Sequence, residues 1–486
     1  MKFHIRFAAP LFAVIVIIAT YWPTMHFFSN QYDDSYITYR YAINLAEGHG
    51  LTFNAGERTD AASSFLYTIA LSIFWLLGIK NLEFAGGLLG LISLAVICLY
   101  VYKTAKHLKA NEASSIIVSA ACGLNGFLSG WALSGMETMP WAALVLVSIY
   151  LILSEANSLV TALTIAAAAF TRFEGILLIA PYGFQLLRQK KPLSSYLPLI
   201  TVIFAFGGFY AIKHAYYGVW ISHAFKMKEI ATYYQAAPGE LLKNWRSMGA
   251  IPLMIGTLGL IGRSHLPILS YMLLSALSVI LGPKSDWSRY SVHLLPIFYV
   301  YTAVCVSQFQ LTLSKKASSI TLAIVAALML AQSAKGYAFN WKNMTELARH
   351  QVCRRHLGEF IHTHIPQTDY IASSDLGIIS YAAINHRFVD LIALTSSDVL
   401  EKYSQGETAD AVLTQKQVKY LADTFPADEK NRFNTLLAQF PNILERSHFR
   451  ILDEEPMYRC SANGKLDFRL TKILNPDATL QPNSLD

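Results

Sequence analysis

From residue 6 to about residue 336 the chain is a succession of apolar runs separated by short polar stretches. Most runs approach the ~20 residues that an α-helix needs to cross a bilayer. They lie near 7 to 27, 84 to 102, 113 to 131, 138 to 154, 158 to 171, 174 to 187, 196 to 214, 247 to 262, 266 to 282, 290 to 309 and 318 to 336. Beyond this point the pattern changes, and residues 340 to 486 carry frequent Lys, Arg, Asp, Glu, Asn and Gln. There NWKNMTELARHQVCRRHLGEFIHTHIP has the spacing of an amphipathic helix ending at Pro366, and DYIASSD and RFVDLIAL alternate as strands do. Residues 408 to 447 read as helical, and MYRCSANGKLDFRLTKIL reads as a hairpin turning at Asn463-Gly464. The expected fold class is a polytopic α-helical membrane protein with a C-terminal α+β domain, divided into a transmembrane module, 1–338, and a soluble domain, 339–486.

One apolar run, Ser63 to Ile79, decides the topology. If it crossed, the basic loop Lys103, Lys106, His107, Lys109 would lie opposite Lys2 and Arg6, against the rule that short cytoplasmic loops carry the positive charge. If it lies in the interface or re-enters, that loop, Arg188 to Lys191, Arg263 and Lys315-Lys316 all face the cytoplasm. The expectation is therefore about 11 spans, a cytoplasmic N-terminus and an external C-terminal domain. The N-terminal MKFHIRFAAPLFAVIVIIATYWP lacks a small-residue cleavage pattern, so it is read as a retained first helix.

Composition agrees: 53% of residues are hydrophobic and 15% are charged, against ~25% charged in soluble domains. The net charge of +7 comes without a basic stripe interleaved with aromatics, so it fits membrane topology better than nucleic-acid binding. Cys98, Cys122 and Cys305 fall in apolar runs. Cys353 and Cys460 fall in the soluble domain, where an oxidising compartment would permit a disulfide, and the sequence leaves their pairing open.

The expected topology gathers particular ions in the outer loops. Asp33 and Asp34 open a stretch in which Tyr36, Tyr39, Arg40, Ile43 and Asn44 fall at helical spacing, as in a helix lying in the interface. Glu137 sits in the SGMET turn and Glu174 in the TRFEG turn. Arg58, Arg172, Lys213, Lys226, Lys228 and Arg289 accompany them. Individually an Asp-Asp pair is most often a helix cap with a solvated charge, and a lone Lys or Arg a snorkelling anchor. Together they suit a carboxylate base for an acceptor hydroxyl and cations for a phosphate leaving group. Without a nucleotide-binding Gly-rich loop, a soluble nucleotide sugar is not the expected donor. No dedicated metal-ligand cluster is visible, though paired carboxylates leave a divalent cation open.

In serial order, Asp33-Asp34, RYAINLAEGHGLTFNAGER, Ser134 to Thr138, Thr171 to Gly175, Tyr216-Tyr217-Gly218 through Lys228, and Asp286-Trp287 with Arg289 resemble the motifs of bacterial type C (GT-C) glycosyltransferases. The resemblance is greatest to the arabinofuranosyltransferase B group of mycobacterial cell-wall enzymes and to arabinofuranose transferases acting on pilin. It extends into SSDLGIISYAAINHRFVDLIALTS of the soluble domain. It implies a polyprenyl-phosphate sugar donor, a periplasmic glycan or protein acceptor, inversion at the anomeric carbon and a bacterial inner-membrane location. By position, Asp33 or Asp34 would be the base, with Asp33 favoured because the family's key acid opens the interfacial helix. Glu137 would orient the acceptor or assist the base, and Arg58, Arg172, Lys228 and Arg289 would hold the donor phosphate. Glu174, His223, Lys226 and Asp286 belong to the same donor and acceptor motifs. His223 stands where many relatives have Asn, and Phe173 where many have Pro. Arabinofuranose as the sugar rests on the resemblance alone. A rival reading, a transporter or flippase of lipid-linked sugars, would carry internal repeats and broken helices at the midplane. No repeat is visible, and the charges gather at one face.

Overall fold

The computed structural model describes residues 31–230, 249–260, 265–281, 287–426, 450–451, 456–462 and 466–474. The expected first span at 7 to 27, Asp286 and the Asn463-Gly464 turn lie outside them, as does the side chain of Lys228.

Helices occupy each of the other expected spans. Four are long and apolar enough to cross a membrane by themselves: Leu82–His107, Leu193–Tyr217, Arg289–Leu311 and Lys315–Ala338. A fifth is the bent pair Glu112–Gly123 and Gly126–Ala132, angled by 54°. Thr138–Leu153, Ser158–Thr171, Gly249–Leu260 and Leu266–Val279 are apolar but shorter. The expected run at 174 to 187 is divided into a 3-10 helix, Phe173–Leu178, and an α-helix, Ile179–Arg188. The count of 11 is thus an expectation that helix length alone does not reproduce.

Burial separates central helices from peripheral ones. Arg289–Leu311 is buried along most of its length, whereas Leu193–Tyr217 leaves Phe204 and Ile212 exposed, as a helix solvated by lipid does. Small residues bring backbones together in the interior. A β-carbon at Gly126 would strike the backbone at Gly336-Tyr337, and one at Gly256 would strike that of Phe298.

The Ser63 to Ile79 run forms a helix of 12 residues, Phe65–Leu76. It is about 18 Å long, short of a bilayer. Its Tyr67 and Leu71 pack with Tyr36, Tyr39 and Ala42 of the preceding helix, Asp33–Ala46, and with Leu82 at the start of the next. It therefore packs against the helices on either side of it in the chain.

Helix Lys315–His364 runs 50 residues without a break, from the bundle into the C-terminal region. Its last turns pack on a sheet ordered β2-β1-β3-β6, to which β4 and β5 add through β6. Here β1 is Tyr370–Ser373, β2 Arg387–Asp390, β3 Tyr420–Pro426, β4 Arg450–Ile451, β5 Tyr458–Ser461 and β6 Leu466–Leu474. β1 runs parallel to β2 and β3, and β6 runs antiparallel to β3 and β5, giving the expected pairing of the last two strands. The expected helix over 408 to 447 is corrected. Only Asp410–Gln415 is helical within its described part, and Tyr420–Pro426 is an interior strand, because Leu421 and Ala422 are needed in the core. Cys353 and Cys460 form a disulfide with Cα atoms 5.5 Å apart, joining the long helix to β5.

Candidate active site

The first loop is laced to the C-terminal region. Buried Arg40 donates to the carbonyls of Ser380 (2.7 Å) and His386 (2.5 Å) across the join, and to that of Phe53. Asn54 pairs with Phe388 of β2 through both amide and carbonyl, at 3.1 and 2.7 Å. These bonds satisfy buried polar backbone and tie Asp33–Ala46 and the loop after it to the C-terminal region.

Asp33 and Asp34 open that helix and diverge. Asp33 accepts from the backbone N–H of Gly377 (2.9 Å) and Ile378 (3.0 Å), the first residues of helix Gly377–Ala382. The approach depends on glycine, since a β-carbon at 377 would collide with the Asp33 carboxylate and carbonyl. Arg354 lies 3.9 Å from Asp33 and 2.7 Å from Asp375. Burial raises the Asp33 carboxyl to about 6, with Arg354 opposing the shift and Asp375 reinforcing it. Asp34 is 62% exposed and meets Arg289 at 3.2 Å.

Glu137 is the centre of a second group. The SGMET turn that carries it needs Gly135 at φ 75°, where a side chain would strike Gln31 and Tyr39. The Gly135 carbonyl also accepts from Tyr39 (3.1 Å) and Tyr67 (2.8 Å). One oxygen of Glu137, only 2% exposed, receives both Arg172 (2.7 Å) and Arg289 (3.0 Å). Burial opposes its charge, but Arg289 and Arg172 outweigh burial and hold it at about 2. Arg172 also binds Glu174 at 3.0 Å and lies between Trp141 (5.1 Å) and Tyr290 (4.9 Å). Two guanidinium groups thus face three carboxylates, Glu137, Glu174 and Asp34. Arg172 and Arg289 are two of the residues expected to hold the donor phosphate.

A third group stands at the end of helix Leu197–Tyr217. Lys213 pairs with buried Asp60 at 2.8 Å, and His223 and Asp60 exchange hydrogen bonds at 3.0 and 3.1 Å. Arg58 stacks over Tyr216 at 4.7 Å, and Lys226 is exposed. Beside this group an apolar groove of about 440 Å³, lined by Phe65, Phe170, Phe209 and Ile212, opens on the bundle's flank.

Asp33, Asp34, Glu137, Arg172, Glu174 and Arg289 are therefore brought to one end of the bundle, with Arg58, His223 and Lys226 in the adjoining group. Asp390 accepts from the backbone N–H of Ile392 and Thr395, and His386 bonds the Ile365 carbonyl, so both side chains serve local backbone. Arg354, Arg355 and Glu83 were not singled out by the sequence pattern. Arg355 pairs with Glu83, which also accepts from Tyr36 at 2.6 Å. The only signal was an Arg-Arg pair within an otherwise ordinary amphipathic helix. Among the described residues no group of His, Cys, Asp and Glu is arranged to hold a metal ion.

Nearly the whole chain aligns with two kinds of solved structure. ArnT from Cupriavidus metallidurans, bound to undecaprenyl phosphate, matches over 97% of this chain and 98% of its own, at 11% identity and a TM-score of 0.54. The chain shares the ArnT fold. Arabinofuranosyltransferase AftD from Mycobacteria matches over 96% of this chain and 39% of its own, at 13% identity and a TM-score of 0.52. The ArnT fold therefore extends through both the helical bundle and the C-terminal sheet. Residues 342–460 match a family described as a domain of unknown function, DUF8728. No curated protein matches the chain in sequence.

Proposed function

We propose that the protein is a membrane glycosyltransferase that moves a sugar from a polyprenyl-phosphate donor to an extracytoplasmic glycan or protein. The observation that carries this reading is the carboxylate and guanidinium cluster at one end of a bundle with the fold of ArnT, which has been seen with undecaprenyl phosphate. AftD, of the same fold, is named an arabinofuranosyltransferase, so arabinofuranose is the first sugar to test. Residues 1–338 would form the transferase module and 339–486 an external domain. The Cys353–Cys460 disulfide favours an oxidising compartment for that domain, such as the periplasm.

Asp34 is the better base. Both oxygens of Asp33 accept backbone N–H groups, whereas Asp34 is the more exposed and is oriented by Arg289 from one side. In the reaction the acceptor oxygen attacks the anomeric carbon from the face opposite the phosphate. The carbon–oxygen bond to phosphate breaks, polyprenyl phosphate leaves with the electron pair, and Asp34 takes the hydroxyl proton. Glu137 stays ionised and fixes Arg172 and Arg289 in place. Since those arginines already face three carboxylates, the donor's charge falls mainly to Arg58, Lys226 and Lys228, with Arg289 shared. The groove at Phe65, Phe170 and Phe209 suits the isoprenoid chain.

Asp34→Asn should lower release of polyprenyl phosphate from synthetic polyprenyl-phospho-arabinofuranose by about 100-fold or more, while donor binding persists. A normal rate in Asp34→Asn protein that binds donor would remove Asp34 from the role of base.

A further inference from the structure

At the opposite end of the bundle, four helix termini enclose a second cavity. It has a volume of about 250 Å³ and is lined by His107, Lys109, Arg188 and His265, with Gln185 and the apolar Leu108, Leu153 and Pro267. No carboxylate lines it. The nearby acids are engaged elsewhere, Glu112 with Lys106 at 3.2 Å and Glu155 with Lys191 at 3.7 Å.

Two ordinary effects explain part of this. Loops at one membrane face collect positive charge, and the helices ending at His107, Leu153 and Arg188 direct carbonyls this way, which favours cations in their last turns. Neither effect requires cationic side chains from two separate segments and a histidine from a third to converge on one cavity. Lys109 is held there by a left-handed backbone, φ 69°, with its N–H on the Lys106 carbonyl at 3.0 Å. His265 is fixed by Tyr301 at 3.2 Å. Helix Leu266–Leu281 begins at the cavity and adds the positive end of its dipole. Leu187 and Leu266, each next in sequence to a lining residue, Arg188 and His265, are exposed.

We infer that this cavity binds a phosphate-bearing anion at the membrane face opposite the transfer site, with an anionic phospholipid headgroup as its natural source. Lys109 and Arg188 supply the charge, Gln185 and the histidines hydrogen bonds, and Leu108, Leu153 and Pro267 the apolar contact for the start of the acyl chains. The site is independent of the proposed transfer reaction.

The test uses the full chain in detergent, with native mass spectrometry against phosphatidylglycerol, phosphatidylcholine and free glycerol 3-phosphate. Phosphatidylglycerol should bind in preference to phosphatidylcholine, and Lys109→Gln with Arg188→Gln should weaken it roughly tenfold. The elution profile and donor turnover should be unchanged. Binding of glycerol 3-phosphate that the double substitution abolishes would support the same phosphate site with a soluble source. Equal retention of both lipids, or phosphatidylglycerol binding that a well-folded double variant leaves intact, would overturn the inference.

Discussion

At the scale of single residues, the two adjacent aspartates show how environment divides like groups. Asp33 is drawn against a helix N-terminus and an arginine, yet burial dominates and its carboxyl rises to about 6. A carboxyl raised on folding binds its proton more tightly in the folded chain than in the unfolded one. Its contribution to stability is therefore greatest below about 4 and is lost as pH rises through about 6. Asp33→Asn protein should lack this dependence, giving a flatter thermal midpoint between pH 4 and 7 in detergent, a difference of at most about 3 kcal/mol. An unchanged slope would place the titration elsewhere. Glu137 behaves oppositely: its two arginines keep it ionised down to about pH 2, so its clamp persists throughout that range. The sequence names Asp33, Asp34 and Glu137 but not this division, because a pKa depends on neighbours contributed by distant segments.

At the scale of elements, the β1 to Gly377–Ala382 turn is what locates the aspartate pair. The stretch SSDLGIIS resembles a family segment in the sequence, but nothing in it says that its backbone meets Asp33, 344 residues away. Gly377→Ala should disturb that meeting, since the obstructing atoms include the Asp33 backbone carbonyl, which cannot swing aside. We expect a stability loss of about 1 to 3 kcal/mol and reduced transfer, read by thermal unfolding and donor turnover. A fully active, equally stable Gly377→Ala protein would show that the turn does not position Asp33. Amphipathic and apolar helices were legible because their spacing repeats locally. The strand at Tyr420–Pro426 was not, because an interior strand is selected by partners on both sides, here β1 and β6.

At the scale of the whole molecule, helix Lys315–His364 and the disulfide at its far end tie the bundle to the sheet. The bond closes a loop of 107 residues, so Cys353→Ala with Cys460→Ala should cost about 2 to 5 kcal/mol. In protein from native membranes, Cys353 and Cys460 should accept a maleimide only after reduction and unfolding. Labelling on unfolding without reduction would argue against an oxidising compartment. The apolar periodicity and loop charges by themselves determined a helical membrane protein with its unexplained ions at one face, since lipid demands long apolar helices whatever their packing. Tertiary structure alone decided that Glu137 is bound by two arginines, that Asp33 is capped while Asp34 stays exposed, and that four basic or titratable side chains at the other end enclose one cavity. Such groupings are set by which helix termini meet, and no local pattern records that.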